Sequence, residues 1–394
     1  MVGAAGGIGQ SPRDGIDTPG PGAGVNVYIG GRVGWLESQA SMSSIPDTAV
    51  TGSLLGTAVG DAVGLPYEGL SRRRAARLLG TPDRHRLLFG RGMVSDDTEH
   101  TCLVAQALIA AGGDHDVFLA HLARGLRLWM LGLPAGVGFA TLRACLKLLL
   151  GVSPKRSGVF SAGNGPAMRS AILGAAVPDR DELLTFVGLS TRITHTDPKA
   201  EYGALAVALA ARLARDGTAT HPETYLSELR AVLPHEADEL LDLLVQAAES
   251  ASAGDSTAAF AESMGHATGV SGYTYHCVPV AIHAWLRNPR DFRTAIIETV
   301  ACGGDTDTTA AIVGGIVGSS VGKAGIPPEW ISGIREWPRT VAWMEGLEQC
   351  LYRAMVSGDA MGVPRLPVVP VVLRNALFLV VVLLHGIRRL GPPY

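Results

Sequence analysis

The chain has 394 residues, 47% of them hydrophobic and 18% charged, which is enough apolar material to bury one large core and excludes a disordered or fibrous polypeptide. Thirty-three basic residues against 36 acidic ones leave a formal charge of −3. No broad positive field invites nucleic acid, so no nucleic-acid binding is expected.

Residues 1–46 are rich in Gly, Pro and Ser and show no apolar period. They lack the basic start and long apolar core of a signal peptide, and they read as a disordered, dispensable extension. From Thr51 the pattern becomes helical, and Gly52, Gly56, Gly60 and Gly64 recur along one face. Each glycine costs a helix ~1 kcal/mol relative to alanine. Its repetition therefore predicts close backbone approach to a second, central helix. Asp61 lies near the end of this helix, and Leu65-Pro66-Tyr67-Glu68 breaks it and presents a carboxylate. Ser95-Asp96-Asp97-Thr98-Glu99 precedes an apolar helical run over 101–111. Asp96 with Glu99 fits a capping box, which has no need of Asp97 as well.

Two glycine-bearing loops follow, one with Gly136 and Gly138, the other Ser161-Ala162-Gly163-Asn164-Gly165. The second enters a helix at Pro166, where proline suits the first turn and free N–H groups suit a diphosphate. His195, just before a helix over 199–214, reads on its own as a satisfied loop histidine. Tyr273 closes a flexible loop and is equally a structural residue or a ring for stacking.

Gly303-Gly304-Asp305-Thr306-Asp307-Thr308-Thr309 opens a helix of small and apolar residues. A helix cap needs one such acceptor. Here two carboxylates and a hydroxyl crowd one helix start, and like charges so close repel unless something positive lies between them. Oxygen-only ligands favour Mg²⁺ or Mn²⁺ over zinc. The Ser95–Glu99 cluster is a second set of the same kind, and the two can converge from two helix ends on one pair of cations.

Five cysteines without CxxC spacing read as buried thiols in a reducing cytoplasm. In the tail, 376–384 is a run of nine apolar residues, short of the ~20 that span a bilayer. Extending it admits Pro370, Arg374, Asn375 and His385. A core or oligomer-interface helix ranks first, a weak membrane-surface contact with Arg388 and Arg389 second, and a transmembrane span is not expected.

Five stretches in order carry a resemblance: Gly60-Asp61 to Glu68, Ser95 to Thr98, Gly163-Asn164-Gly165-Pro166-Ala167-Met168-Arg169, Thr194-His195, and Gly303 to Thr308. Together they resemble the ADP-ribosylglycohydrolase family, the relatives of dinitrogenase reductase-activating glycohydrolase. The resemblance implies an all-α fold, a compact orthogonal assembly of helices, with a catalytic domain over 47–350 and an appended tail over 351–394. It implies a cytoplasmic hydrolase that cleaves ADP-ribose from an acceptor, arginine on a protein first and a small ADP-ribose conjugate otherwise. It makes Glu68 and Asp97 the catalytic acids. Two Mg²⁺ ions, or Mn²⁺, would be held by Glu68, Ser95, Asp96, Asp97, Asp305, Asp307 and Thr308. Substrate would be met by Gly136, Gly138, Ser161, Gly163, Asn164, Gly165, His195 and Tyr273. Ser95 stands where the family often has threonine and keeps the ligating oxygen. The other reading is a non-catalytic ADP-ribose-binding or structural protein on the same fold, as in the family's lens-crystallin relatives.

Overall fold

The computed structural model describes residues 46–217, 222–357 and 362–392. The extension expected over 1–46 lies outside the described residues, apart from Pro46, which precedes the first helix. The described residues form helices joined by short loops, with isolated bridges and no sheet, as the resemblance implies. The principal helices are α1 (Asp47–Gly64), α2 (Asp96–Ala111), α3 (His115–Leu131), α4 (Phe139–Leu149), α5 (Pro198–Arg215), α6 (Thr274–Arg287), α7 (Thr306–Gly325), α8 (Val341–Ser357) and α9 (Val368–Arg389).

The centre is the antiparallel pair α1 and α7. Every residue of α7 from Thr306 to Ser319 is buried, in keeping with a helix apolar on all sides. The glycine stripe of α1 faces it directly. A Cβ at Gly52 would lie 2.0 Å from the carbonyl oxygen of Gly318, one at Gly56 2.1 Å from that of Gly314, and one at Gly60 2.1 Å from that of Ala310. At Gly64 the neighbour is the carbonyl of Thr306, 2.4 Å away. No side chain fits between the two backbones. Their contact therefore fixes the register that sets the end of α1, and the Glu68 loop after it, beside the start of α7.

Helix α8 spans residue 350, where the sequence reading ends the catalytic domain. Beyond it, α9, expected to be a core or oligomer-interface helix, is not enclosed in the core. It is a 22-residue helix, long and apolar enough by length and composition to cross a membrane, yet docked on the domain by one face only. Arg374, Asn375, Phe378, Val381 and His385 point inward and are buried. Along the sequence Arg374, Asn375 and His385 interrupt the apolar run; on the helix they share the face turned to the domain.

Candidate active site

The Gly303-Gly304 pair is a crossing point for three segments. Gly304 donates to the carbonyl of Leu70 at 2.9 Å and accepts from the N–H of Gly69 at 2.7 Å. Val270 donates to the carbonyl of Gly303 at 3.0 Å, and Asp305 donates to that of Val270 at 2.8 Å. Both glycines sit at positive φ, +73° and +82°, where L side chains are strained. A Cβ on Gly304 would also meet the carbonyl oxygen of Val270 at 2.0 Å. Glycine is thus required for the Glu68 loop, the 270 loop and the start of α7 to meet.

At that meeting the two acidic helix starts come together. The hydroxyl of Thr308, on α7, donates to Asp97 Oδ2, on α2, at 3.4 Å, and the hydroxyl of Ser95 donates to the same oxygen at 2.9 Å. The other oxygen of Asp97, and Oδ1 of Asp307, are buried without a hydrogen-bond partner. A buried polar atom left unpaired is costly, and such atoms call for an explanation. Capping does not supply one. Asp305, at the N-cap of α7, makes no capping bond with its side chain; its Oδ2 accepts instead from Asn164 Nδ2 at 2.7 Å. Nor does the capping box expected for Asp96 and Glu99 form. Ser95 caps α2 through the N–H of Asp97 at 3.3 Å, while Glu99 turns away to bond Trp129 and Arg339.

Asp61 is the buried acid that the sequence reading left without a role. It accepts from the N–H of Ser95 at 2.9 and 3.0 Å, from the N–H of Thr98 at 3.2 Å and from the hydroxyl of Thr98 at 2.5 Å. It holds the first turn of α2 against α1. Its place at the end of the glycine stripe, inside a motif of the family, was the available signal.

The acids raise one another's pKa values. Burial, then the charges of Glu99 and Asp61, push Asp96 well above its ordinary value. Asp97 moves the same way by burial, Asp61 and Asp96, and Asp307 by burial, Glu68 and Asp305. Burial pushes Asp61 up to about 7. Glu68 stands open to the cleft, but the protein packed around its carboxyl and the charge of Asp305 raise it, against Arg389, which lowers it.

A cleft of about 570 Å³ opens over this cluster. Glu68, Asp96, Asp305, Asp307 and Thr308 line one part, and Gly136, Gly138, Ser161, Gly163, Asn164, Gly165 and His195 line the rest. Ser95 and Asp97 do not line it; they are buried and joined to it through Thr308. Tyr273 is not in the lining either: its hydroxyl accepts from Lys199 at 3.1 Å and its ring packs edge-on against His276. The aromatic side chain that does line the cleft is Phe139, 85% exposed at the start of α4, directly after the Gly136–Gly138 loop. In the loop before the helix at Pro166, the N–H groups of Gly163 and Asn164 are given to Ser161 Oγ and the carbonyl of Gly272. His195 is buried, and burial and then Arg169 push it down to about 3, so it is neutral. Its Nδ1 lies 2.9 Å from the hydroxyl of Thr194, which also accepts from Arg169 at 2.7 Å.

The site is buttressed from α9. Arg389 donates to the carbonyl oxygens of Glu68 at 2.6 Å and Pro66 at 2.7 Å, and His385 Nε2 lies 2.9 Å from that of Pro66. Arg374 donates to the carbonyl of Val94, next to Ser95, at 2.5 Å and pairs with Glu336 at 2.6 and 2.7 Å. Both acidic loops are therefore held from behind by one helix.

The donor set fits a hard divalent cation: carboxylates and hydroxyls, mutually repelling, with two buried carboxylate oxygens unpaired. Among the described residues no three His, Cys, Asp or Glu side chains stand together in an arrangement that could hold a metal ion as they are. The hydroxyls of Ser95 and Thr308 and the amide of Asn164 occupy some of the carboxylate oxygens instead.

A model of the ADP-ribosylglycohydrolase family matches residues 42–360, ending before α9. The chain is 33% identical over 292 residues to an uncharacterised protein of Archaeoglobus fulgidus, covering 72% of this chain and 90% of that one. It is 28% identical over 298 residues to the ADP-ribosyl-[dinitrogen reductase] glycohydrolase of Rhodospirillum rubrum, covering 73% and 90%. With the ADP-ribosylhydrolase ARH3 of Homo sapiens the figures are 27% over 325 residues, 71% and 87%. A solved structure of an ADP-ribosylglycohydrolase-related protein complex superposes with a TM-score of 0.57 at 26% identity, covering 79% of this chain and 98% of that one. With the acids of two helix starts gathered under one cleft and likeness running through the whole of that assembly, the chain belongs to the ADP-ribosylglycohydrolase family and is a glycohydrolase enzyme.

Proposed function

We propose that the enzyme removes ADP-ribose from ADP-ribosylated arginine on a protein, using two Mg²⁺ or Mn²⁺ ions. The observation that carries the metal is the pair of buried, unpartnered oxygens on Asp97 and Asp307 where α2 and α7 meet. Glu68, Ser95, Asp96 and Asp97 would hold one cation, and Asp305, Asp307 and Thr308 the other with shared members. When bound, the ions supply positive charge that lowers the pKa of a ligated water and orients the vicinal hydroxyls of the ribose. The arginine acceptor rests on the family resemblance, since the carboxylates that line the cleft are those that would hold the cations.

Glu68 is the group in position to take a proton from the attacking water. It is open to the cleft, its pKa is raised, and its backbone is fixed by Arg389. Asp97, buried off the cleft, is better placed as a ligand than as an acid or base acting on substrate. Neutral His195 offers Nε2 to the ribose or phosphate side, beside Gly163 and Gly165. Phe139 presents the ring for stacking the adenine, and Tyr273 takes the structural part of its two readings.

The test is incubation with arginine-linked and serine-linked ADP-ribosylated peptides, with Mg²⁺, with Mn²⁺ and with chelator, reading released ADP-ribose by mass. Release from the arginine peptide only with cation is expected. Full release under chelation overturns the metal reading. Release from the serine peptide alone overturns the acceptor.

A further inference from the structure

Helix α9 lies beyond the family match, and its polarity is inverted. The residues turned to the protein at Arg374, Phe378, Val381, His385 and Arg389 recur every three or four positions and carry all the helix's charged and imidazole side chains except Arg388. The opposite stripe, Val369, Leu373, Leu377, Val380, Leu384 and Ile387, has the same spacing and is wholly aliphatic. Each of these six is between 52% and 68% exposed. At ~1.5 Å per residue the stripe from Val369 to Ile387 runs ~27 Å, a contiguous exposed apolar face of the kind that marks an interaction surface.

The ends of the stripe say what covers it. Near its start, Arg124 and Arg365 share a cavity wall with Val371. Near its end, Arg84 and Arg388 share one with Leu384 and with Phe89, a loop-tip ring 99% exposed. Asp83 is shared between Arg86 at 2.9 Å and Arg84 at 3.9 Å, so one carboxylate faces two guanidinium groups and the rim keeps a positive excess. Residues 363–392 contain no Asp or Glu. An aliphatic stripe with arginines at both ends matches the boundary of an anionic bilayer, where apolar side chains enter the acyl region and basic ones meet headgroup phosphates. A second copy is a poorer match, since pairing the stripes in either direction sets basic rim against basic rim. Crossing the bilayer would pull Arg374, Asn375 and His385 out of their bonds with Glu336, Gly132 and Pro66 and into hydrocarbon.

We infer that the outer face of α9 seats the enzyme on an anionic lipid surface, lying in the interface rather than spanning it. The test uses the full chain and needs no substrate. Co-sedimentation is measured with vesicles of phosphatidylcholine alone and of phosphatidylcholine mixed equally with phosphatidylglycerol, and light scattering gives the mass without vesicles. A monomer that binds the mixed vesicles at least roughly tenfold more tightly than the neutral ones, less so at high salt, is expected. The double variant Leu377→Glu/Leu384→Glu should lose at least roughly tenfold of that binding with an unchanged melting curve. Arg84→Glu/Arg388→Glu should weaken binding to the mixed vesicles and leave the neutral ones unaffected. Absence of vesicle binding, binding unchanged in both variants, or a stable dimer that Leu377→Glu/Leu384→Glu splits would each overturn the inference.

Discussion

Helix α2 carries two buried acidic clusters within four residues, and they are solved in opposite ways. Glu99 faces Arg339 at 2.8 Å and Arg374 at 3.3 Å, with Trp129 donating at 2.6 Å. Burial alone would raise its pKa, but the two guanidinium groups outweigh burial and hold it below its ordinary value. Asp96 and Asp97, on the other side, have no such partners, and burial with neighbouring acids drives them upward. The compensated cluster is structural: it ties α9 and the Glu336 segment to α2 and, through Val94, steadies Ser95. The uncompensated cluster lies under the cleft, at the cation site proposed above.

The comparison breaks most visibly at Glu99. Glu99→Gln should destabilise the protein by ~3–5 kcal/mol, because it strips the shared counter-charge from two buried arginines. Urea unfolding should show this loss equally with and without divalent cation. A loss under ~1 kcal/mol would make the ion network incidental. Glu68→Gln should do the reverse, leaving the melting temperature close to wild type while turnover falls by roughly 10²-fold or more. Release of ADP-ribose within a few-fold of wild type would move the proton transfer elsewhere.

A smaller effect separates the clusters by pH. Asp61 has a folded value of about 7 against an ordinary 3.8, and Asp96, Asp97 and Asp307 are shifted the same way. Their protonated forms are favoured in the folded chain, so the stability they contribute is full at low pH and lost as pH rises through the folded values. Each unit of difference is worth ~1.4 kcal/mol. Glu99 acts oppositely, its contribution being lost only as pH falls through its depressed value. In chelator the melting temperature should therefore fall from about pH 6 to about pH 8, and saturating Mg²⁺ should flatten or reverse that slope. The same downward slope with and without cation would contradict a shared metal centre.

What the sequence disclosed follows from how local each signal is. The glycine stripe of α1 is periodic, so the close approach to a second helix could be read before the partner, α7, was known. Acids crowded at two helix starts were visible because a cap needs only one. The role of Asp61 was not, since its hydrogen bonds run to Ser95 and Thr98, 34 and 37 residues away. Phe139 and Tyr273 both follow glycine loops, and only the packing shows which ring faces the cleft and which is held by Lys199. In α9 the polar residues looked like interruptions until the domain supplied partners for them.

The central claim is that the acids of α2 and α7 form one cation-binding cluster, and Asp307 tests it most directly. Wild type and Asp307→Asn are melted in chelator and in millimolar Mg²⁺ or Mn²⁺. Without cation the variant should melt higher, because one charge is removed from a repelling, buried group. With cation wild type should melt higher, because an ion held at 100 times its Kd adds ~2.7 kcal/mol to the native state that the variant loses. The account predicts that the order of the two proteins reverses between conditions. The same order in both would contradict it and return the two clusters to being helix starts.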